Sequence, residues 1–294
     1  MNKTNSDTIP ERIKASFNSL TPTERQLANS MLENFPSSCL GSITAVASVA
    51  GVSPPSVVRM VKKLGFTGFP DFQSNLHNEI EERINNPLVK LTRLSKKHSG
   101  EHSLNLFADS VLENLNNTLD QIDYLQFDKI VEALTNERFQ LFIVGGRITS
   151  SLADYMFSHI QMIRRNVTFL NPNPSVWSSY LLDMSENDVL VVFDIRRYEQ
   201  NLITLSKIAR SKGVRILLFT DHWGSPAAKY AENVFNLRTQ VPSAWDSSIV
   251  TLFIIESLIS AMQKENIHAT QNRIEELEDL FDKTKLFKKK TKLK

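Results

Sequence analysis

Two adjacent prolines, Pro54 and Pro55, sit in a stretch whose apolar residues otherwise recur at helical spacing, VASVAGVSPPSVVRMVKKLGF over residues 46–66. A proline inside a helix costs roughly 3 kcal/mol, because it lacks a donor and clashes with the preceding turn. One continuous helix is therefore excluded. With Ser53 as an N-cap, Pro54 takes the first helical position, where an N–H is orphaned anyway and the fixed φ already suits a helix. Pro55 takes the second, where the N–H is orphaned too. The prolines thus open a helix that runs to about Leu64, and Gly65 ends it. Upstream, LTPTERQ repeats the punctuation: Thr21 caps, Pro22 comes first in the helix, and Glu24 completes a capping box.

Between Ser42 and Ala50 the spacing predicts a short helix with Ile43, Val46, Ala47 and Ala50 on one face. Gly51 follows and supplies the left-handed backbone that side chains resist. The second helix buries Val57, Val61 and Leu64 and turns Pro55, Arg59 and Lys62 outward, with Ser56 and Lys63 flanking. Helix, glycine turn and cationic second helix form the layout of a helix-turn-helix DNA reader. Ala47, four before the glycine, allows close approach; Val57, six after it, fills the angle between the helices. Two helices of an ordinary bundle would be the rival reading. In the DNA reading, Ser53, Pro54, Pro55, Ser56 and Arg59 lie near base edges, and Lys62 and Lys63 touch phosphate.

The 294 residues suffice for two ordinary domains, and 41% hydrophobic with 22% charged residues fits a globular chain. The single cysteine, Cys39, excludes an internal disulfide and suits a reducing compartment. The N-terminus lacks the apolar core of a secretion signal, and no apolar run is long enough to span a membrane, so the chain is expected in the cytoplasm. The last twelve residues, 283–294, hold seven lysines that carry the net charge from −5 to +2. They read either as a solvated terminus or as a nonspecific phosphate contact.

Residues 71–100 read as a helix and then a polar linker, and helices are expected over 103–120 and 126–136. The rhythm then changes. Apolar, β-rich runs occur at 138–146, 167–170, 188–195, 214–220 and 233–237, with helix-like segments between them. Continuous apolar character means strands buried on both faces, hence a parallel sheet covered by helices. A long apolar helix over 247–265 must be buried, in the core or across a subunit interface. The fold class is therefore multidomain: an all-α helix-turn-helix domain over 1–80, a helical linker over 81–102, a doubly wound α/β domain over 103–266, and a C-terminal helix and basic tail over 267–294.

In such a sheet, ligands bind beyond the carboxyl ends of the strands. Those ends read GGRITSS, NPNPSVW, DIRRYEQ and TDHWGSP, rich in arginine and hydroxyls, which suits an anionic or polyhydroxy small molecule. Dinucleotide and P-loop fingerprints and the G-x-S-x-G elbow are missing, and no cofactor is implied. His98 and His102 are four apart, but they lie in a polar linker without the further ligands of a metal site.

The chain resembles the RpiR/MurR family of bacterial transcriptional regulators, which join a helix-turn-helix to a sugar isomerase (SIS) domain. The likeness is carried by LTPTERQLANSML, GVSPPSVVRMVKKLGFTGFPDF, FIVGGRITSSLADYM, DVLVVFDIRRYEQ and TDHWGSPAAKYAENVF. It implies a homodimer or homotetramer on a palindromic double-stranded DNA operator, with a small anionic metabolite, such as a phosphorylated sugar, as effector. Candidate effector contacts are Gly145, Arg147, Thr149, Asp194, Arg196, Arg197, Tyr198 and Asp221. The family's first loop reads G-x-G-x-S, but Arg147 replaces its second glycine; its S-x-S-G-x-T phosphate loop is replaced by residues 194–199, without a serine or threonine. Either Arg147, Arg196 and Arg197 form a cationic pocket oriented by Asp194 or Tyr198, or Asp194 pairs with an arginine and the cluster is structural. The runner-up function is a sugar-phosphate isomerase, with Glu199 and His222 at the sheet edge as candidate bases. A regulator whose SIS domain only oligomerises is a third possibility.

Overall fold

The computed structural model describes residues 8–84, 91 and 101–287. Most of the expected linker, His98, and residues 288–294 of the lysine-rich tail lie outside them. The chain divides into two compact units, residues 1–90 and 91–294.

The first unit is helical: α1 (Ile9–Ser16), α2 (Pro22–Glu33), α3 (Ile43–Ala50), α4 (Pro54–Lys63) and α5 (Phe69–Ile84). Thr8 and Thr21 both close capping boxes with the glutamates three residues on. The helices surround one core that includes Ile13, Leu27, Met31, Ala47, Val57, Met60, Leu64 and Phe72. Gly51, at φ 66° and ψ 33°, ends α3 in the left-handed region. There Val52 N donates to Ala47 O at 2.9 Å and Gly51 N to Ser48 O at 3.1 Å, the paired bonds of a Schellman ending. α4 ends in the same way at Gly65 (φ 93°), with Phe66 N bonded to Val61 O. α3 and α4 bend by 97° across their turn, within the range for a DNA-reading helix pair. Ala47 and Val57 are both buried at that corner.

The second unit begins with α6 (Ser103–Leu119) and α7 (Tyr124–Thr135), followed by a doubly wound α/β layer. Its strands are β1 (Leu141–Gly145), β2 (Val167–Phe169), β3 (Val189–Phe193), β4 (Arg215–Asp221) and β5 (Asn233–Leu237). They form one parallel sheet in the order β2-β1-β3-β4-β5. Between them run α8 (Ser150–Ile160), α9 (Trp177–Asp183) and α10 (Gln200–Ser211), with α11 (Ile249–Glu265) and α12 (Ile267–Thr284) after the sheet. Alternate residues of β3 face opposite sides, as the pleat requires. Val189, Val191 and Phe193 join the core under α7, α8 and α11, while Leu190 and Val192 join the core under α9 and α10. Burying each such side chain stabilises the fold by about 1.5–3 kcal/mol.

The first strand starts at Leu141 rather than at 138, because Asn136 caps a turn there by accepting from Arg138 N. α11 packs in the core against α6, α7 and α8, leaving Ile249 and Phe253 exposed. The strand order reverses between β1 and β3, which makes the crevice beyond their carboxyl ends the switch point of the sheet.

Candidate functional sites

The first site is the outer face of α4. Val57, Met60 and Val61 turn inward, leaving Pro55, Arg59, Lys62 and Lys63 exposed on the other side. Ser53 is exposed at the N-cap and Pro54 is half-buried. The Ser53 hydroxyl makes no capping bond. Pro54 and Pro55 have no N–H to offer, and Ser56 N donates to the Ser53 carbonyl at 2.9 Å. The Ser53 hydroxyl lies instead 3.0 Å from Ser56 Oγ, and Arg59 Nη2 donates to the same Ser56 oxygen at 3.0 Å. Ser56, expected beside base edges, is only 3% exposed, and both of its side-chain partners, Ser53 and Arg59, are exposed.

Lys63 also differs from its expected place as a simple phosphate contact. Its Nζ donates to Glu24 Oε2 at 2.7 Å, and the Glu24 side chain is nearly fully buried. Burial pushes the Glu24 carboxyl up, but Lys63 and the Thr21 N–H and hydroxyl outweigh it and hold the group below its ordinary range. Lys63 thus ties α4 to α2.

The second site is the crevice at the switch point. Thr149 staples it: its Oγ1 accepts from Gly146 N at 2.8 Å and donates to Phe193 O at 2.7 Å, joining the β1 loop to the end of β3. Gly145 is needed sterically because its neighbours are backbone, whereas Gly146 faces the flexible end of the Glu199 side chain. A Cβ on Gly145 would lie 2.4 Å from Thr149 O, and one on Gly146 would lie 2.4 Å from Glu199 Oε1. The reason for the second clash is that Glu199 reaches across from the β3 loop and accepts from Arg147 N at 2.6 Å. A carboxylate of the chain itself therefore occupies the first loop, a contact that the sequence alone did not reveal.

The β3 loop is held under strain. Arg196 and Arg197 are both left-handed, at φ 32° and 57°, a conformation that costs a non-glycine residue on the order of 1–3 kcal/mol. Asp221, fully buried, braces it: one oxygen accepts from Arg196 N at 2.6 Å, the other from Tyr198 OH at 2.8 Å and Trp223 N at 2.9 Å. Asp194 accepts from Glu199 N at 3.1 Å and from the Ser225 hydroxyl. Burial raises the Asp194 carboxyl to about 6, against the hydrogen bonds from Ser225 and Glu199 N and with help from the Glu199 and Asp221 charges.

The Arg196 guanidinium pairs with Asp246 at 2.8 Å, with both side chains largely buried. Asp194 pairs with no arginine among the described residues. Asp246 lies beyond β5, far along the chain, and no local pattern marks it. Of the expected effector residues, Asp194 and Asp221 thus act as buried braces, whereas Arg147 and Arg197, in the loops after β1 and β3, are exposed. His102 caps α6, its Nδ1 accepting from Leu104 N at 3.2 Å. Among the described residues no three His, Cys, Asp or Glu side chains gather as metal ligands, and no single helix is long and apolar enough to cross a membrane.

The profile of the helix-turn-helix domain, rpiR family, matches residues 8–83, and that of the SIS domain matches residues 133–261. The chain belongs to the RpiR family. It is a transcriptional regulator with an SIS domain. An HTH-type regulator of Clostridium perfringens is 22% identical over 262 residues, 85% of this chain and 93% of that protein. The HTH-type transcriptional regulator HexR of Escherichia coli K12 is 25% identical over 222 residues, 75% of this chain and 74% of that protein. In fold, this RpiR regulator is similar to the Vibrio vulnificus NanR protein complexed with ManNAc-6P. That likeness has a TM-score of 0.54 at 17% identity, over 94% of this chain and 98% of that one.

Proposed function

We propose that this RpiR regulator reads a double-stranded, palindromic DNA operator with α4, as a cytoplasmic homodimer or homotetramer. Its SIS domain senses a small acidic metabolite, a sugar phosphate or carboxylate, at the β1–β3 crevice. The observation that carries the reading is the 97° helix pair whose second member presents Arg59 and Lys62 to solvent. An arginine there can engage a base edge bidentately, and the lysine positions the helix on phosphate. For the effector, the support is the pair of exposed arginines at a sheet switch point and the phosphosugar named with the NanR structure. The acidic group competes with the Glu199 carboxylate for the Arg147 amide. The isomerase alternative has less support, because Glu199, one of its candidate bases, is engaged with that amide.

The test begins by selecting duplexes from a randomised pool with the full chain. The selected duplex should bind at least tenfold more tightly than a scrambled one, and Arg59→Ala should reduce that preference without lowering Tm. A panel of phosphosugars and carboxylates should contain a member that raises Tm and shifts operator affinity, since the two sites are linked. No enrichment of any duplex would refute the DNA reading. A panel without effect on Tm would refute the sensor reading.

A further inference from the structure

We propose that Ser56 is a positioning residue for DNA reading: with Ser53 it holds the Arg59 guanidinium in a donor array that selects guanine. The proposal rests on the reading of α4 as the DNA-contacting helix. It starts from the two prolines. A serine at an N-cap ordinarily accepts from the N–H groups of the second or third helical residue. Here the second is Pro55 and has none, and the third N–H, of Ser56, bonds to the Ser53 carbonyl at 2.9 Å. The Ser53 hydroxyl is thereby released from capping and lies 3.0 Å from Ser56 Oγ.

A hydroxyl has one proton and two lone pairs. Arg59 Nη2 donates to Ser56 Oγ at 3.0 Å, and a guanidinium can only donate. Ser56 Oγ therefore accepts from Arg59 and shares a second hydrogen bond with Ser53 Oγ, in which either hydroxyl can donate. The chain of bonds runs from Arg59 through Ser56 to Ser53. It leaves the remaining Arg59 N–H groups, which can only donate, at the exposed surface. In the major groove, guanine shows two adjacent acceptors, N7 and O6, whereas adenine places its N6 amino donor beside N7. A guanidinium held in place, which can only donate, fits the first and is opposed by the amino donor of the second. Because Ser56 is buried, it fixes the guanidinium before DNA arrives and so lowers the ordering cost of binding.

The experiment uses the full chain with the duplex that it selects from a randomised pool, and with that duplex carrying adenine in place of each guanine in turn. Wild type, Ser56→Ala, Arg59→Ala and the double variant are compared by binding titration, with Tm measured in parallel. Arg59→Ala should reduce discrimination at one guanine by about tenfold or more. Ser56→Ala should lower it at that same guanine by about threefold to tenfold, with Tm nearly unchanged, and should have no further effect once Arg59 is gone. Equal discrimination in Ser56→Ala and wild type overturns the proposal. So does an additive loss in the double variant, or a loss spread evenly over all duplexes, which would mark Ser56 as structural only. If Arg59→Ala itself changes nothing, the reading of α4 as the DNA contact fails with it; if only Ser56→Ala is silent, that reading stands and this one falls.

Discussion

Lys62 and Lys63 are neighbours with the same charge, yet their surroundings separate their roles. Lys62 is exposed on the outer face of α4, whereas Lys63 is bound to the buried carboxylate of Glu24. Removing the partner of a buried charge is more costly than removing an exposed ion pair. Because Lys63 is itself 41% exposed, Lys63→Ala should destabilise the first unit by about 1–2 kcal/mol, a fall of several degrees in Tm. Lys62→Ala should leave Tm unchanged but reduce the slope of log affinity against log salt by about 1. Circular-dichroism melting and salt-dependent titrations separate the two. The Glu24 carboxyl is held below its ordinary range, so the stability it contributes is present above the unfolded glutamate pKa and is lost as pH falls through the lower folded value.

At the scale of the element, the segment joining β3 to α10 is a strained loop fixed by two buried aspartates. Asp194 binds the start of α10 through Glu199 N and the segment after β4 through the Ser225 hydroxyl. Its carboxyl is raised from 3.8 to about 6, so between these values the folded state holds more protons than the unfolded one. Stability therefore falls as pH rises through that window, and the loss is complete above it. The effect amounts to no more than about 3 kcal/mol. Urea denaturation of the full chain from pH 4 to 7 should show this fall. Asp194→Asn should flatten it, because the amide still accepts from Glu199 N and can donate to Ser225 Oγ. An unchanged pH slope in that variant would remove Asp194 as its source.

On the scale of the whole molecule, one core gathers side chains from Ile9 to Leu76, while two others flank the sheet. Calorimetry should accordingly resolve two transitions, and an effector of the SIS domain should raise only the one that belongs to residues 91–294. A single transition that shifts as one would contradict independent cores. Both architectures were legible in the sequence because their signals are local. The threonine caps, the paired prolines and the two glycine endings start and stop helices within a few residues, and strands buried on both faces announce themselves as apolar runs. The candidate sites were legible only as neighbourhoods. Arg59 faces outward as its helical spacing requires, but the burial of Ser56 and its hydrogen bond with Arg59 exist only in the folded chain. The partner of Arg196 is Asp246, beyond β5, and the carboxylate of Glu199 reaches the amide of Arg147 from another strand's loop. A charged residue has many opposite or polar groups within the same chain to choose from. Proximity selects among them, and proximity across a parallel sheet exists only after the strands have assembled.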